Sequence, residues 1–426
     1  MEKKIKVLTI SDMPLSPSGV GTQTKYMCEA LLQSGKFVIR SLGGALKHPN
    51  YNPIQTQEYG NDWVMFPVDG YGNAEIIRSV IRQEKPDILW FMTDPRFWGW
   101  LWEIENEIRP LMPMVYYHVW DNYPYPTFNK SFYESNDLIA TISKVTDDIV
   151  KTVAPNVKSK YIPHAVNGDV FKPLEDKDAL EDFKKEVFGE YYDPEKFIFF
   201  WNNRNARRKQ SGSLIFWFKK VLEQIGDDKA CLVMHTEVKD ENGQDLEAII
   251  NELGMEKGQV LFSQTKVDPE KLALMYNISD CTVNVSDAEG FGLATLESLS
   301  CGVPIIVTKT GGLQEQYTNG KDTFGIGLEP SSKAIIGSQA IPWIYEDRLN
   351  GEDVIEAMIS MINTPSEERK EMGLAGRKHV LENYNFDDYN KTWVDTLTQL
   401  HKEEGSWSTR TKTQHWVVEE IEDIAL

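Results

Sequence analysis

Apolar and polar residues alternate along the chain in blocks that predict strands and helices in turn. The first forty residues contain a strand, a turn rich in glycine and proline, and a helix, at 5–10, 14–21 and 22–32. Further apolar runs of strand length follow at 87–92, 114–117 and 138–142. Strands that alternate with helices are typical of a parallel sheet covered by helices, so we expect a first α/β domain here.

A polar, strongly charged stretch at 163–194 interrupts this alternation near the middle of the chain. It contains Pro173 and a predicted helix at 178–188, and it has the character of a linker. The alternation then starts again, with strands at 197–201, 231–235, 259–262, 281–285 and 304–307 and helices at 214–225, 245–253, 272–276 and 295–300. The chain is therefore predicted to form a second α/β domain that resembles the first.

We place the N-terminal domain at 1–172 and the C-terminal domain at 173–382, because the pattern restarts after the linker. Residues 383–400 predict a helix that returns to the N-terminal domain. The tail to residue 426 contains Trp407 and Trp416, and its apolar residues do not show the regular spacing of a helix or a strand. Two domains imply a cleft between them.

Composition narrows the class of protein. With 426 residues, 41% hydrophobic and 26% charged, the chain matches a folded globular protein, and no apolar run reaches membrane-spanning length. A net charge of −20 disfavours nucleic acid and anionic membranes as general partners. The four cysteines are scattered and the start lacks the apolar region of a signal peptide, so we expect reduced thiols and a cytoplasmic location.

The most informative segment runs from 286 to 297 and joins a predicted strand to a predicted helix. Gly290 and Gly292 allow the main chain to approach a ligand, and the free N–H groups of a helix start can bind phosphate or sugar oxygens. Glu289 and Glu297 supply carboxylates that suit the paired hydroxyls of sugars. Taken alone, this pattern also fits a glycine turn beside two solvated glutamates.

The surrounding residues resemble a known family, the retaining glycosyltransferases of family 4 with the GT-B fold. Glu289 and Glu297 stand at the spacing of the family's E-x7-E motif, and residues 301–307 and 311–315 are similar to its continuation. The resemblance covers most of the chain and is densest between 276 and 315. It implies two Rossmann-like domains and a nucleotide sugar bound in the cleft.

The resemblance also implies roles for individual residues of this segment. Glu297 would hold the ribose hydroxyls of the nucleotide, and Glu289 would contact the donor sugar as a catalytic residue. The other donor-binding positions are those around the helix start, namely Gly290, Phe291, Gly292 and Leu293.

A basic cluster at 202–209 follows the strand predicted at 197–201. By resemblance, Arg204 and Lys209 would grip the diphosphate as catalytic residues, and a forked guanidinium suits phosphate oxygens. Arg207 and Arg208 also fit a solvated basic loop.

Residues 14–21 resemble the family's glycine loop, which approaches the diphosphate from the other domain. Gly19 and Gly21 are therefore further donor-binding candidates. A Gly-x-Gly after a strand also fits a dinucleotide site, but Thr24 stands where that fingerprint needs its third glycine. A nicotinamide enzyme is disfavoured for this reason.

The strand end at 116–121 matches the place where family members carry a histidine that faces the sugar. His118 is accordingly predicted to line the donor sugar as a catalytic residue, although a lone histidine is more often structural. Asp121 and Asp94, at the ends of two neighbouring predicted strands, are candidate acceptor-binding carboxylates.

These features predict a metal-independent glycosyltransferase without a cofactor, in which a nucleotide diphosphate sugar is the co-substrate. Retention follows from the resemblance, and a front-face route is expected because no carboxylate is placed by motif as a nucleophile. We expect a UDP-sugar donor and a soluble sugar or metabolite as the hydroxyl acceptor. The acidic triplet at 176–178 lies in the charged linker and does not predict a metal site.

Three alternatives remain open. In the first, the acceptor is a hydroxymethylated base of DNA. The net negative charge of the chain disfavours DNA binding in general, but it does not exclude binding at one local site. In the others the chain is a sugar-nucleotide epimerase or phosphorylase, or a degenerate nucleotide-sugar-binding protein on the same fold. The oligomeric state is open as well.

Overall fold

The chain forms two α/β units and a C-terminal helix that joins the first unit. The structure is a computed structural model that describes residues 3–339 and 341–411, so that Trp416 lies outside the described residues. Within these ranges, no helix combines the length and the apolar character needed to cross a bilayer.

The first sheet contains eight strands among the described residues, in the order β3-β4-β2-β1-β5-β6-β7-β8. All neighbours are parallel except β3 and β4. The strands are β1 Ile5–Asp12, β2 Phe37–Gly44, β3 Ile54–Gln55, β4 Trp63–Pro67, β5 Ile88–Thr93, β6 Met114–His118, β7 Leu138–Thr141 and β8 Ser159–Tyr161.

Helices connect these strands and cover the sheet. They are α1 Gly19–Gln33, α2 Ala74–Glu84, α3 Gly99–Trp102, α4 Glu105–Ile108, α5 Lys130–Glu134 and α6 Lys144–Val153. Helix α1 begins where Ser18 accepts a hydrogen bond from the N–H of Gly21, and α6 begins at Ser143 in the same way, because a serine hydroxyl satisfies a free N–H of the first turn.

The second sheet is wholly parallel, in the order β11-β10-β9-β12-β13-β14. Its strands are β9 Phe197–Asn202, β10 Ala230–His235, β11 Val260–Ser263, β12 Cys281–Asn284, β13 Ile305–Thr308 and β14 Gly325–Leu328. The helices of this half are α7 Lys177–Phe188, α8 Ser211–Ile225, α9 Leu246–Glu252, α10 Pro269–Asn277, α11 Leu293–Ser300, α12 Gly351–Asn363 and α13 Ser366–Asn383.

An antiparallel hairpin of two further strands, β15 Ser332–Ile336 and β16 Ile344–Arg348, lies between β14 and α12. The side chain of Ile344 packs against the hydrophobic core of the first unit. The backbone N–H of Tyr345 donates to the carbonyl of Tyr123 at 2.5 Å, and the amide of Asn122 donates to the carbonyl of Tyr345 at 3.0 Å. The hairpin therefore connects the two units.

Helix α14 Phe386–Glu404, the last one in the part of the chain that the structure describes, packs on the first unit. Trp393 is fully buried, and its ring lies 5.9 Å from Trp90 and 4.9 Å from Tyr117, centroid to centroid. Past the helix, the Trp407 indole donates to the carbonyl of Pro86 at 2.8 Å. The core of the first unit thus includes side chains from the end of the chain.

The strands predicted from apolar runs are confirmed, with ends that differ by one or two residues. The sequence analysis missed β2, β3 and β4, which lie between residues 33 and 86, and it also missed β8, β14, β15 and β16. Arg40 and Ser41 interrupt the apolar run of β2, and β3 is a two-residue edge strand, so neither has the pattern of a buried strand. The four cysteines are free and buried.

Candidate active site

Most of the predicted site residues follow β1, β5, β9 or β12, the strands beside the point where the strand order of each sheet changes direction, whereas His118 and Asp121 lie at and after the end of β6. In the first sheet this point lies between β1 and β5, and in the second between β9 and β12. Loops at the carboxyl ends of such strands form the ligand crevice of open parallel sheets. A Cβ built on Gly19 would lie 3.4 Å from Leu293, so the crevices of the two sheets meet.

Lys209 and Glu289 form a buried ion pair at the centre of this cleft. Their side chains are 9% and 12% exposed, and the lysine Nζ donates to Oε2 of the glutamate. Burial lowers the pKa of Lys209 to about 8, although the adjacent Glu289 opposes the shift. Burial alone would raise the pKa of Glu289, but Lys209 and Arg208 outweigh it and hold this pKa below its ordinary value. The carboxylate is therefore ionised at neutral pH.

Arg208 also faces the cleft, which the sequence did not single out. Its guanidinium donates to the carbonyl of Ala288 at 2.5 Å, and its charge acts on Asp94, Asp121 and Glu289. Arg208 and Lys209 therefore form one cationic surface that joins both sides of the cleft.

Arg204 points elsewhere in this structure. Its guanidinium binds Asp240 with two hydrogen bonds of 2.7 and 3.1 Å, and its side chain is 62% exposed. The structure does not bring Arg204 together with Lys209 and Glu289, and its role at the diphosphate stays a prediction. Arg207 likewise faces away from the pair and binds Glu346.

Gln210 explains how the basic loop turns into α8. Its backbone has φ +55°, a left-handed conformation that favours glycine. The side chain offsets this cost, because its amide donates to Asp287 at 2.6 Å and accepts from Ser213 at 2.6 Å. Gln210 thereby ties the basic loop to the segment that carries Glu289.

The glycines of the 286–297 segment allow close backbone packing. Gly292 has φ +90° and directly precedes α11, whose first-turn N–H groups have no partner within the helix. A Cβ on Gly290 would lie 3.0 Å from the carbonyl of Val119 in the first unit, and one on Gly311 would overlap the carbonyl of Glu289. Phe291 is buried beside His164, with ring centroids 4.8 Å apart.

The glycine loop is held by Asp12 at the end of β1. Its carboxylate accepts from Ser18 at 2.6 Å and from Tyr71 at 2.8 Å. A Cβ on Gly21 would meet the Ser16 hydroxyl at 2.5 Å, which explains why a glycine fits there. The loop thus presents the start of α1, including Gly19, to Leu293 across the cleft.

Glu297 lies on α11 with one defined partner. The hydroxyl of Tyr276 donates to its carboxylate at 2.8 Å and in turn accepts from the amide of Asn202 at 2.9 Å. Burial raises the pKa of Glu297 to about 7, against the effect of the Tyr276 hydrogen bond. Tyr276 is fully buried and holds the glutamate in one orientation. The sequence did not indicate this role, because the two residues lie 21 positions apart.

Asp121 and Asp94 line the first-unit side of the cleft. A Cβ on Gly290 would lie 3.9 Å from the carboxylate of Asp121, which places Asp121 beside the Glu289 segment. Burial raises the pKa of Asp121 to about 6, partly offset by Arg208. Burial also raises the pKa of Asp94, which pairs with Arg96 at 3.3 Å.

His118 is fully buried, and both of its ring nitrogens have partners inside the first unit. Nδ1 lies 3.1 Å from the hydroxyl of Tyr116, and Nε2 lies 2.7 Å from that of Tyr133. Because Tyr116 donates to the carbonyl of Thr93 at 2.6 Å, Nδ1 carries the proton. Burial lowers the pKa of His118 to about 3, so the ring is neutral.

This hydrogen-bond chain supports the turn that carries Asp94. Thr93 has φ +126°, an unfavourable conformation for a β-branched residue. The structure therefore connects His118 to the cleft through Tyr116 and Thr93, and does not place its ring beside Glu289. Contact with the donor sugar stays a prediction.

Comparison with known proteins finds a family match in the second half of the chain. Residues 181–379 match the family model described as "Glycosyl transferases group 1". D-inositol 3-phosphate glycosyltransferase of Arthrobacter sp. (strain FB24) is 30% identical over 103 residues, which is 24% of this chain and 23% of that protein. The chain therefore aligns with about a quarter of that curated relative.

Solved structures match the whole architecture. Sucrose-phosphate synthase from Thermosynechococcus elongatus superposes with a TM-score of 0.74 at 16% identity, covering 94% of this chain and all of that one. HepE of Anabaena, solved in complex with UDP and glucose, gives a TM-score of 0.67 at 13% identity, covering 93% and 100%. These matches confirm the predicted GT-B fold.

Proposed function

We propose that this chain, in which residues 181–379 match the family model of the glycosyl transferases of group 1, is a retaining glycosyltransferase with a UDP-sugar donor. The observation that carries the proposal is the buried Lys209–Glu289 pair, with Arg208 beside it, where the crevices of two parallel sheets meet. An acidic protein of net charge −20 keeps two cations at this one place, where a diphosphate would need them.

The donor is held from the second unit. Glu297, oriented by Tyr276, accepts hydrogen bonds from the ribose hydroxyls, and the N–H groups at the start of α11 face the diphosphate. HepE of Anabaena, on the same fold, was solved with UDP and with UDP-glucose, which supports UDP as the first nucleotide to test.

Transfer proceeds on one face of the sugar. The bond between the anomeric carbon and the phosphate oxygen breaks, and its electron pair stays on the phosphate. The acceptor hydroxyl forms the new bond on the same face and passes its proton to that phosphate oxygen. Lys209 and Arg208 stabilise the charge that grows on the leaving diphosphate, and they act strongly because the site is buried.

The acceptor approaches from the first unit, where Asp94 and Asp121 end two strands. We propose a soluble sugar or metabolite as the acceptor, because carboxylates bind hydroxyl groups and repel polyanions. The relative from Arthrobacter is named for D-inositol 3-phosphate, a small hydroxylated molecule, which agrees with this class. A cytoplasmic location and metal independence remain parts of the proposal.

A thermal-shift panel of UDP, GDP, ADP, CDP and NAD tests the donor. UDP is expected to raise the melting temperature, and Glu297→Ala is expected to abolish the rise. Arg208→Ala should weaken UDP binding about tenfold and Arg204→Ala less than about threefold, because only Arg208 faces the cleft. A shift with NAD alone, or no shift with any nucleotide, would contradict the proposal.

The acceptor is then tested by incubating the protein with UDP-glucose and separate pools of sugars, polyols and hydroxymethylated DNA. Mass spectrometry detects a product heavier by one hexose. A heavier DNA product would favour the nucleic-acid alternative over the proposed small acceptor.

A further inference from the structure

The hairpin strand β16 contacts both loops that hold the central ion pair. Glu346 lies on this strand and is 3% exposed, and Arg348, two residues further, faces the same side. No sequence motif marked this strand. Its contacts nevertheless converge on the basic loop 204–210 and on the segment 286–289.

Glu346 is the partner of the basic loop. Arg207 donates to both of its carboxylate oxygens, at 2.7 and 2.9 Å, in the forked geometry that fixes a guanidinium most strictly. Burial alone would raise the pKa of Glu346, but Arg207 and Arg348 outweigh it and hold that pKa below its ordinary value. The loop between β9 and α8 is thus anchored next to Arg208 and Lys209.

Arg348 links the same strand to the segment of Glu289. It lies 3.0 Å from Glu346 and 2.5 Å from the buried carboxylate of Asp287. The backbone N–H of Asp347 donates to the carbonyl of Asp287 at 2.9 Å, and the N–H of Asp287 donates to the carbonyl of Arg208 at 2.8 Å. The two loops are therefore tied to each other and to β16.

We propose that Glu346 and Arg348 are positioning residues, which keep Arg208 and Lys209 aligned with Glu289 for the proposed transfer. They act through their contacts with Arg207 and Asp287. Because β16 also binds Tyr123 and Asn122 of the first unit, the same strand sets the loops of the second unit against the first. The inference rests on the proposed function for its effect on turnover, but not for its effect on the loops.

The test compares Glu346→Gln with Glu223→Gln. Glu223 also forms an ion pair in the second unit, with Lys220 at 2.8 Å, but on the exposed side of α8. Amide hydrogen exchange is followed in peptides that cover 204–210 and 286–290. Glu346→Gln is expected to speed exchange in both peptides about tenfold, and Glu223→Gln in neither. Unchanged exchange in both would overturn the proposal whether or not the chain transfers sugar.

Kinetics distinguish positioning from stability alone. With UDP-glucose as the probe, Glu346→Gln should lower the rate of UDP release at saturation about tenfold, with a smaller change in KM, because the cations lose alignment in the transition state. If Glu346 acts through Arg207, the Glu346→Gln/Arg207→Gln double variant should be no slower than Glu346→Gln. Additive losses, or a full rate in Glu346→Gln, would contradict the role.

Arg348→Gln provides a second variant if Glu346→Gln does not fold. It retains the Arg207–Glu346 contact, so exchange should accelerate in 286–290 more than in 204–210, and the reverse order would overturn the proposal. If the wild-type chain binds no UDP, the proposed function is contradicted. The amide hydrogen exchange of Glu346→Gln and Glu223→Gln would still decide whether Glu346 positions the two loops.

Discussion

Lys209 donates to Glu289 on the second-unit side of the cleft, and the two side chains are almost completely enclosed. One comes from the loop after β9 and the other from the loop after β12, so the pair joins the two strands at the point where the second sheet changes direction. A buried pair contributes little net stability, but a partner left alone is costly. The pair is therefore sensitive to a single substitution.

Replacing Glu289 by glutamine is expected to lower the free energy of unfolding by about 3 kcal/mol, because Lys209 is left buried without an anion. Turnover should fall at least about a hundredfold, since the cation loses its orientation. Urea unfolding and UDP release measure the two effects. Glu329→Gln is the matched control, because its pair with Lys309 at 2.5 Å leaves the glutamate 76% exposed, and it should change stability by less than about 0.5 kcal/mol.

UDP binding should depend on the ionisation of Glu297, whose pKa is raised to about 7 by burial. Below that pH the folded chain holds a proton that must leave before the carboxylate can accept both ribose hydroxyls. The affinity for UDP is therefore expected to rise about tenfold between pH 6 and pH 8. Calorimetric titration measures this pH dependence of the UDP affinity. Glu297→Gln should retain only the pH dependence that comes from ionisation of the UDP phosphates.

The same shift has the opposite sign for stability. Because the folded pKa lies above the ordinary value of 4.5, the contribution of Glu297 to stability declines as the pH rises from about 4.5 to about 7.

Tyr276→Phe removes the hydrogen bond that lowers the pKa of Glu297, so the midpoint of the pH dependence of UDP binding should move to higher pH. A midpoint that moves down, or does not move, would contradict the assigned orientation.

His118→Gln tests whether this histidine stabilises the fold or acts on the sugar. The folded pKa of about 3 lies below the ordinary 6.5, so the histidine contributes stability that is complete above pH 6.5 and is lost as the pH falls. The stability difference between wild type and His118→Gln should therefore shrink by about 1.4 kcal/mol per pH unit below 6.5. Urea unfolding at several pH values measures it.

Turnover of the folded His118→Gln variant is expected to fall less than about tenfold, because the ring acts through the Thr93 turn. A loss beyond about a thousandfold with unchanged stability would assign the histidine to the reaction itself.

Gly311→Ala should damage the donor site through the backbone. Gly311 has φ +48°, and an added Cβ would overlap the carbonyl of Glu289, so the segment that carries the ion pair must move. UDP affinity is expected to fall about tenfold in calorimetric titration. Gly320→Ala is the control, since Gly320 also has a positive φ of +88° but open space around it. Equal losses in both variants would attribute the effect to backbone strain alone.

The sequence predicted those parts of the fold that depend on local pattern. Strands such as β9, with five buried residues in a row, were predictable because a central parallel strand is apolar on both faces. The hairpin of β15 and β16 was not, because most of its residues are partly or fully exposed and it is held by contacts to distant loops.

The same distinction applies to the site. Glu289 and Glu297 could be predicted, since their spacing lies within one segment. The directions in which Arg204, Arg207 and Arg208 point could not be predicted, because each side chain binds a carboxylate or carbonyl that is distant in the sequence. His118 had the position of a sugar contact but is enclosed by Tyr116 and Tyr133, which only the folded first unit brings together.

The place of Trp393 determines when the first half of the protein can be completed during synthesis. Trp90 and Tyr117 leave the ribosome early, but the ring that covers them is made just over three hundred residues after Trp90. Until α14 emerges, the nascent first unit leaves the apolar surface of Trp90 and Tyr117 uncovered. The second unit, whose sheet and helices lie between 177 and 383, can close before the first. This protein is therefore expected to finish folding in the reverse of the order in which its halves are translated.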